Sequence, residues 1–174
     1  AGFSVIPAAD LVTTEAGSTA SFAIVLTSQP LARVTLPVAS SDLTEGTVPV
    51  ASLRFTAANW NVPQIVTVTG VDDFMKDGNI AYLVMLRAAT STDPNYAGMD
   101  PTDVTVTNND NDVAEFTVIP PAGLVTNEAG GTATFSVQLT SQPLADVVVP
   151  VASSDLTEGT VPVVSLTFNS ANWN

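Results

Sequence analysis

The chain has 174 residues, with 17 acidic side chains against 4 basic ones and a formal net charge of −13. A nucleic-acid surface needs a basic patch, which this composition excludes, and an anionic membrane would repel such a chain. With no cysteine and no histidine, disulfides, thiolate metal sites and imidazole acid–base chemistry are excluded as well.

The hydrophobic fraction is 45%, with many Val residues, and Thr is abundant beside them. Val, Ile and Thr are stiff at χ1 and suit strands. Residues 3–13 predict a first strand, interrupted at Pro7-Ala8-Ala9; proline removes a ladder donor, so this strand belongs at an edge, where it bends or switches sheets. Residues 19–27 (TASFAIVLT) predict a second strand and residues 33–39 a third. Residues 47–55 are strand-like but broken by Pro49. Residues 64–70 (QIVTVTG) alternate cleanly. Residues 79–89 and 102–107 complete the series. The intervening segments are turns or loops: 14–18, 28–32, 40–46, 56–63, the acidic loop 71–78 (VDDFMKDG), and the longest, 90–101. Residues 108–112 (NNDND) end the set. About seven strands at this spacing predict an all-β fold, an immunoglobulin-like antiparallel sandwich.

The run from Phe116 to Asn174 then reads the run from Phe3 to Asn61 a second time. No gap is needed, and about three-quarters of the positions are identical. The offset, about 113 residues, is that of a whole domain rather than a short solenoid repeat. The predicted organisation is one complete repeat over residues 1–113 and the N-terminal half of a near-identical repeat over 114–174. The chain opens at AGFSV and the second copy stops at Trp173-Asn174, so both ends are expected to be cuts in a longer polypeptide. No Gly/Ser- or Pro-rich spacer lies at Val113–Glu115, which predicts a semi-rigid string of repeats.

If consecutive strands run up and down, their connections alternate between the two ends of the sandwich. Glu15, then Asp42 and Glu45, then Asp72, Asp73 and Asp77, and finally Asp110 and Asp112 all fall at one pole. The opposite pole receives only Asp93 and Asp100, which the Pro and Gly residues around them explain as turn chemistry. Two bare carboxylates about 5 Å apart repel by roughly 3 kcal/mol at an effective dielectric near 20. Several such pairs weigh heavily on a domain whose total stability is about 5–15 kcal/mol. Two readings stand: a bound cation, or a solvated acidic tip. An all-oxygen cluster of this size suits Ca2+, which takes 6–8 oxygens. Zinc would want His or Cys.

At these residues the sequence resembles the Calx-beta domain, the calcium-binding module of sodium/calcium exchangers and of large bacterial surface proteins. The marks are a Glu before the second strand (TTEAGSTASF), an acidic loop after the third (SSDLTEGT), a strand leading to an Asp pair (VTVTGVDD), and a terminal VTVTNNDND. They cover the first repeat and the front half of the second. The resemblance implies calcium held by Glu15, Asp42, Asp72, Asp73, Asp77, Asp110 and Asp112, with Glu45 either a ligand or a solvated neighbour. The terminal run is diluted with Asn, and Asp77 stands where Glu is usual, so fewer ions or weaker binding are expected. The second copy supplies only Glu128, Asp155 and Glu158.

Trp60 and Trp173, in the repeated ANWN, are expected to plug the end of a core rather than stack on sugars. Tyr82 is expected in the core and Tyr96 in loop packing. Nothing in the sequence suggests an enzyme: no His or Cys is present, and the paired carboxylates sit on a tip without cleft walls. The expected function is structural. The chain reads as calcium-binding repeats of an extracellular or cell-surface stalk or fibre, of bacterial type, whose partners are the neighbouring repeats of the same chain and other copies in the fibre. Two alternatives stay open. One is an adhesive module gripping a sugar or protein through residues 90–101. The other is a filament subunit whose half domain is completed by a neighbour's strands.

Overall fold

The computed structural model describes residues 1–7, 10–120 and 122–174; Ala8 and Ala9, within the expected strand break, lie outside the described residues. Among those described there is no helix, and none long and apolar enough to cross a membrane. The chain divides into two compact units: Ala1–Asp73 with Asp77–Asn111, and Phe74–Lys76 with Asp112–Asn174.

The first unit is an immunoglobulin-like β-sandwich. One sheet has the order β1 (Phe3–Ile6), β3 (Thr19–Leu26), β7 (Gln64–Gly70), β5 (Gly46–Thr47). The other has the order β2 (Leu11–Thr14), β10 (Val104–Asn109), β8 (Ile80–Leu86), β4 (Val34–Ser40), β6 (Ser52–Phe55), with the short β9 (Thr90–Ser91) also on β4. The first strand switches sheets between β1 and β2, as its proline leads one to expect. The stretch around Pro49 does the same: it is not one broken strand but two, β5 and β6, in opposite sheets. The sandwich is therefore mixed at one place. β2 runs parallel to β10 while the other ladders of the unit are antiparallel, because the strand that crosses between sheets keeps its direction.

The core follows from period-two alternation. Phe22, Ile24 and Leu26 on β3, Val66 and Val68 on β7, Val34, Leu36 and Val38 on β4, and Val84 and Leu86 on β8 all point inward and are buried. Phe3 meets Phe55 and Tyr96 edge to face, with ring centroids 6.3 and 6.0 Å apart. Tyr96 is 1% exposed and belongs to the core rather than to loop packing alone; its hydroxyl donates to Ser28 O at 2.6 Å. Trp60 is partly buried against the same core.

Two inward files change character along their length. On β2 and just beyond it the file reads Leu11, Thr13, Glu15; on β10 it reads Val104, Val106, Asn108. All six are buried. Strand alternation thus delivers polar side chains to one end of an otherwise apolar interior. That end is the acidic pole.

The second unit holds two antiparallel pairs. β11 (Phe116–Ile119) pairs with β12 (Ser136–Leu139), and β13 (Val147–Pro150) pairs with β14 (Ser165–Phe168). Their registers repeat those of β1/β3 and β4/β6: Phe116 faces Leu139 as Phe3 faces Leu26, and Val147 faces Phe168 as Val34 faces Phe55. Phe74 packs on Trp173 within this unit, ring centroids 5.7 Å apart.

Candidate metal centre at the acidic pole

The strand directions bring the four acidic segments together as the alternating-strand argument requires. Glu15 N donates to Asn109 O at 3.1 Å, and Asn111 N donates to Glu15 Oε2 at 2.8 Å. Residues 15 and 111 therefore meet at one pole although 96 positions separate them. Gly78 N donates to Asp110 Oδ2 at 2.7 Å, which ties the 71–78 loop to the end of β10.

Within the first unit, Glu45, Asp73 and Asp77 each present a carboxylate oxygen, and these lie within 4.8 Å of one another. Glu15 and Asp110 present oxygens within the same limit. Asp112 follows two residues beyond Asp110, as the second unit begins. Ligand oxygens of one calcium ion sit at about 2.3–2.6 Å from it, so two of them are at most about 5 Å apart. The spacing fits.

Glu45 was the open position in the sequence, and the structure sets it inside a carboxylate group. It is 6% exposed. Burial pushes its carboxyl above the ordinary value; the Asn108 hydrogen bond opposes that shift, and the charges of Asp77, Asp42 and Asp73 add to it. A buried anion among like charges is the arrangement that a cation relieves.

Asp42 behaves differently. Its Oδ1 accepts from Thr44 N at 2.9 Å and from Thr44 Oγ1 at 2.6 Å, and these bonds hold its carboxyl below the ordinary range. Asp155 makes the same two bonds with Thr157, at the same distances. The sequence Asp-Leu-Thr builds this turn by itself. Asp72 is exposed, and its Oδ1 accepts from Asn111 Nδ2 at 3.4 Å. Neither Asp42 nor Asp72 belongs to the two carboxylate groups.

Two uncharged features that acid-counting overlooks hold the pole in place. Asn108, 1% exposed, accepts from Thr13 Oγ1 at 3.0 Å and donates to Val71 O at 2.9 Å and to Glu45 Oε2 at 3.3 Å. One amide thus ties β2, the loop after β7 and Glu45 to β10. The signal for it was an Asn at the third inward position of a strand whose first two are Val. The second feature is close backbone approach. A Cβ on Gly70 would lie 2.3 Å from Thr14 O and 2.6 Å from Asn108 Oδ1, and one on Gly46 would lie 1.9 Å from the Tyr82 hydroxyl.

Several solved structures are similar to the chain. CBD12 from CALX1.2 is similar over 97% of this chain and 70% of its own, with a TM-score of 0.50 and 14% identity. The calcium binding domain CBD12 of CALX1.1 matches 63% of this chain and 44% of its own, at a TM-score of 0.46 and 16% identity. The CsuC–CsuE chaperone–tip adhesion subunit complex of Acinetobacter baumannii pili matches 97% of this chain and 90% of its own, at 0.47 and 9%. At such identities the first likeness shows the sandwich fold alone. No protein-family model and no curated protein sequence matches the chain.

Proposed function

We propose that the chain is a calcium-binding β-sandwich of the Calx-beta kind, serving as a structural part of a long extracellular stalk or fibre rather than as an enzyme. The observation that carries the reading is the convergence of Glu45, Asp73 and Asp77 oxygens within 4.8 Å around a carboxylate that is itself buried. The donor set is all oxygen, which favours a hard cation. Glu45, Asp73 and Asp77 would hold one ion. Glu15 and Asp110 form the other set of acids available at the pole of the first unit. Asp42 and Asp72 flank these sets, Asp42 with one oxygen committed to its turn. Bound calcium would neutralise the repulsion and cross-link loops drawn from both sheets.

The chain's net charge of −13 agrees with a cation-binding role. Calorimetric titration with calcium, paired with thermal melting in millimolar calcium and in chelator, tests the reading. Saturable heat and a rise in Tm are the expected results. No heat and an unchanged Tm would remove the metal from the account.

A further inference from the structure

We propose that the peptide bond between Asp100 and Pro101 is an acid-triggered self-cleavage site, and that the fold spares the chemically equivalent bond between Asp93 and Pro94. This inference does not rest on the calcium reading. It comes from comparing two copies of one dipeptide within a single loop of the first unit.

An aspartyl–prolyl bond carries its own nucleophile. The Asp carboxylate oxygen attacks the carbonyl carbon of the same residue and closes a five-membered ring. Attack from within the residue has a large entropic advantage over attack by bulk water. The proline nitrogen takes a proton and leaves as a secondary amine as the C–N bond breaks. Water then opens the cyclic anhydride, restoring the Asp side chain and leaving a new α-carboxylate. The net change is hydrolysis of one peptide bond by one water, and acid drives it because the leaving nitrogen must be protonated. The reaction needs a carboxylate free to turn back on its own carbonyl, a carbonyl free to become tetrahedral, and solvent at the bond.

Asp93 meets none of these conditions. It is 2% exposed. Its Oδ2 accepts from Leu31 N at 2.8 Å, and its Oδ1 from Asn95 N at 2.9 Å and Asn95 Nδ2 at 3.0 Å. These bonds, Leu31 first, hold its carboxyl below the ordinary range against the effect of burial, and the N-terminal amine adds to the shift. The Asp93 carbonyl is committed too, accepting from Tyr96 N at 3.1 Å and Ala97 N at 3.0 Å.

Asp100 meets all three. It is exposed, and among the described residues no donor reaches its carboxylate or its carbonyl. Two cavities, of about 580 and about 390 Å³, share Asp100, Pro101 and Thr102 in their walls. The charged groups facing Asp100 are Arg87 and Asp103, in the wall of the larger cavity. Asp103 is held by Leu86 N at 2.8 Å, so it does not compete as a nucleophile. The smaller cavity adds only the uncharged Phe3, Val5 and Met99. Cleavage would not release a fragment, because Val104 and Val106 are fully buried and β10 stays paired with β8 and β2. Acid would leave two polypeptides, 1–100 and 101–174, held in one fold.

The test incubates the full chain at the lowest pH that preserves its neutral near-ultraviolet circular dichroism, beside a sample in urea at the same pH. Intact masses are read after denaturation, when half of the urea sample has been cut. The folded chain should yield fragments 1–100 and 101–174, and the urea sample should be cut after Asp93 as well. Folding should slow the Asp93 cut at least about tenfold, since local opening must precede it, and leave the Asp100 cut near its rate in urea. Asp100→Ala should abolish the cut at 100, whereas Asp103→Asn should leave it. The inference is wrong if folding slows both cuts alike or neither, or if Asp100→Ala is still cut at that bond.

Discussion

Asn108 and Glu45, 63 positions apart, meet inside the acidic pole, where the Asn108 amide donates to Glu45 Oε2 at 3.3 Å. The same side chain bonds Thr13 and Val71, so it satisfies groups from three separate segments. A carboxylate would repel Glu45 there, and an apolar residue would strand all three partners.

Asn108→Leu should accordingly destabilise the first unit by about 2–4 kcal/mol, the cost of leaving buried polar groups unpaired. Urea unfolding in chelator measures this without interference from metal. Asn108→Asp should be worse at pH 7 than at pH 4, since the added charge faces Glu45.

Calcium should reverse the sign of a charge mutation. In chelator, Asp77→Asn relieves repulsion within the Glu45, Asp73 and Asp77 group and should raise Tm by a few degrees. In millimolar calcium the same change removes a ligand and should lower Tm relative to the parent. Asp155→Asn, at a turn in the second unit, should show no such reversal. Melting curves of the three proteins under both conditions decide between a metal site and a solvated tip.

The pH dependence has two arms. Glu45 has a raised pKa, so the folded state holds its proton more tightly than the unfolded chain does. Its contribution is favourable below the ordinary value of 4.5 and is lost as pH rises through the elevated one. Asp93 has a lowered pKa, chiefly because Leu31 N–H donates to it, with Asn95 adding to the effect. Its contribution is present above 3.8 and is lost as pH falls through the depressed value. In chelator, stability should therefore rise as pH falls through the elevated Glu45 value toward 4.5, and drop as pH falls below 3.8. Glu45→Gln should flatten the first arm and leave the second; a Tm series from pH 3 to 8 measures both.

Gly46 and Gly159 stand at matched positions of the two copies but in different surroundings. A methyl at Gly46 meets the Tyr82 hydroxyl, whereas one at Gly159 meets nothing within 4 Å. Gly46→Ala should cost about 1–3 kcal/mol through overpacking, and Gly159→Ala should be neutral within about 0.5 kcal/mol. Chemical denaturation of the two variants checks the contrast.

The strands rich in Val and Ile were legible because alternation and burial coincide: residues 64–70 are β7 to the residue. The convergence of Glu15 with the end of β10 was legible because strand direction alone determines it. The split of residues 47–55 between sheets was only half visible; Pro49 marks a break, but nothing local says that β5 will join β7 while β6 joins β4. The separation of Glu45 from Asp42 was not visible at all. Both are acids in one loop, and only the hydrogen bonds of Asp42 to Thr44, together with the burial of Glu45 beside Asn108, tell them apart. Asn108 itself carries no charge and so escaped a search made by counting carboxylates.

The hairpins β11/β12 and β13/β14 reach their registers with no help from the strands that cover β3 and β4 in the first unit. Each hairpin can thus set its own alignment early, from the residues it contains.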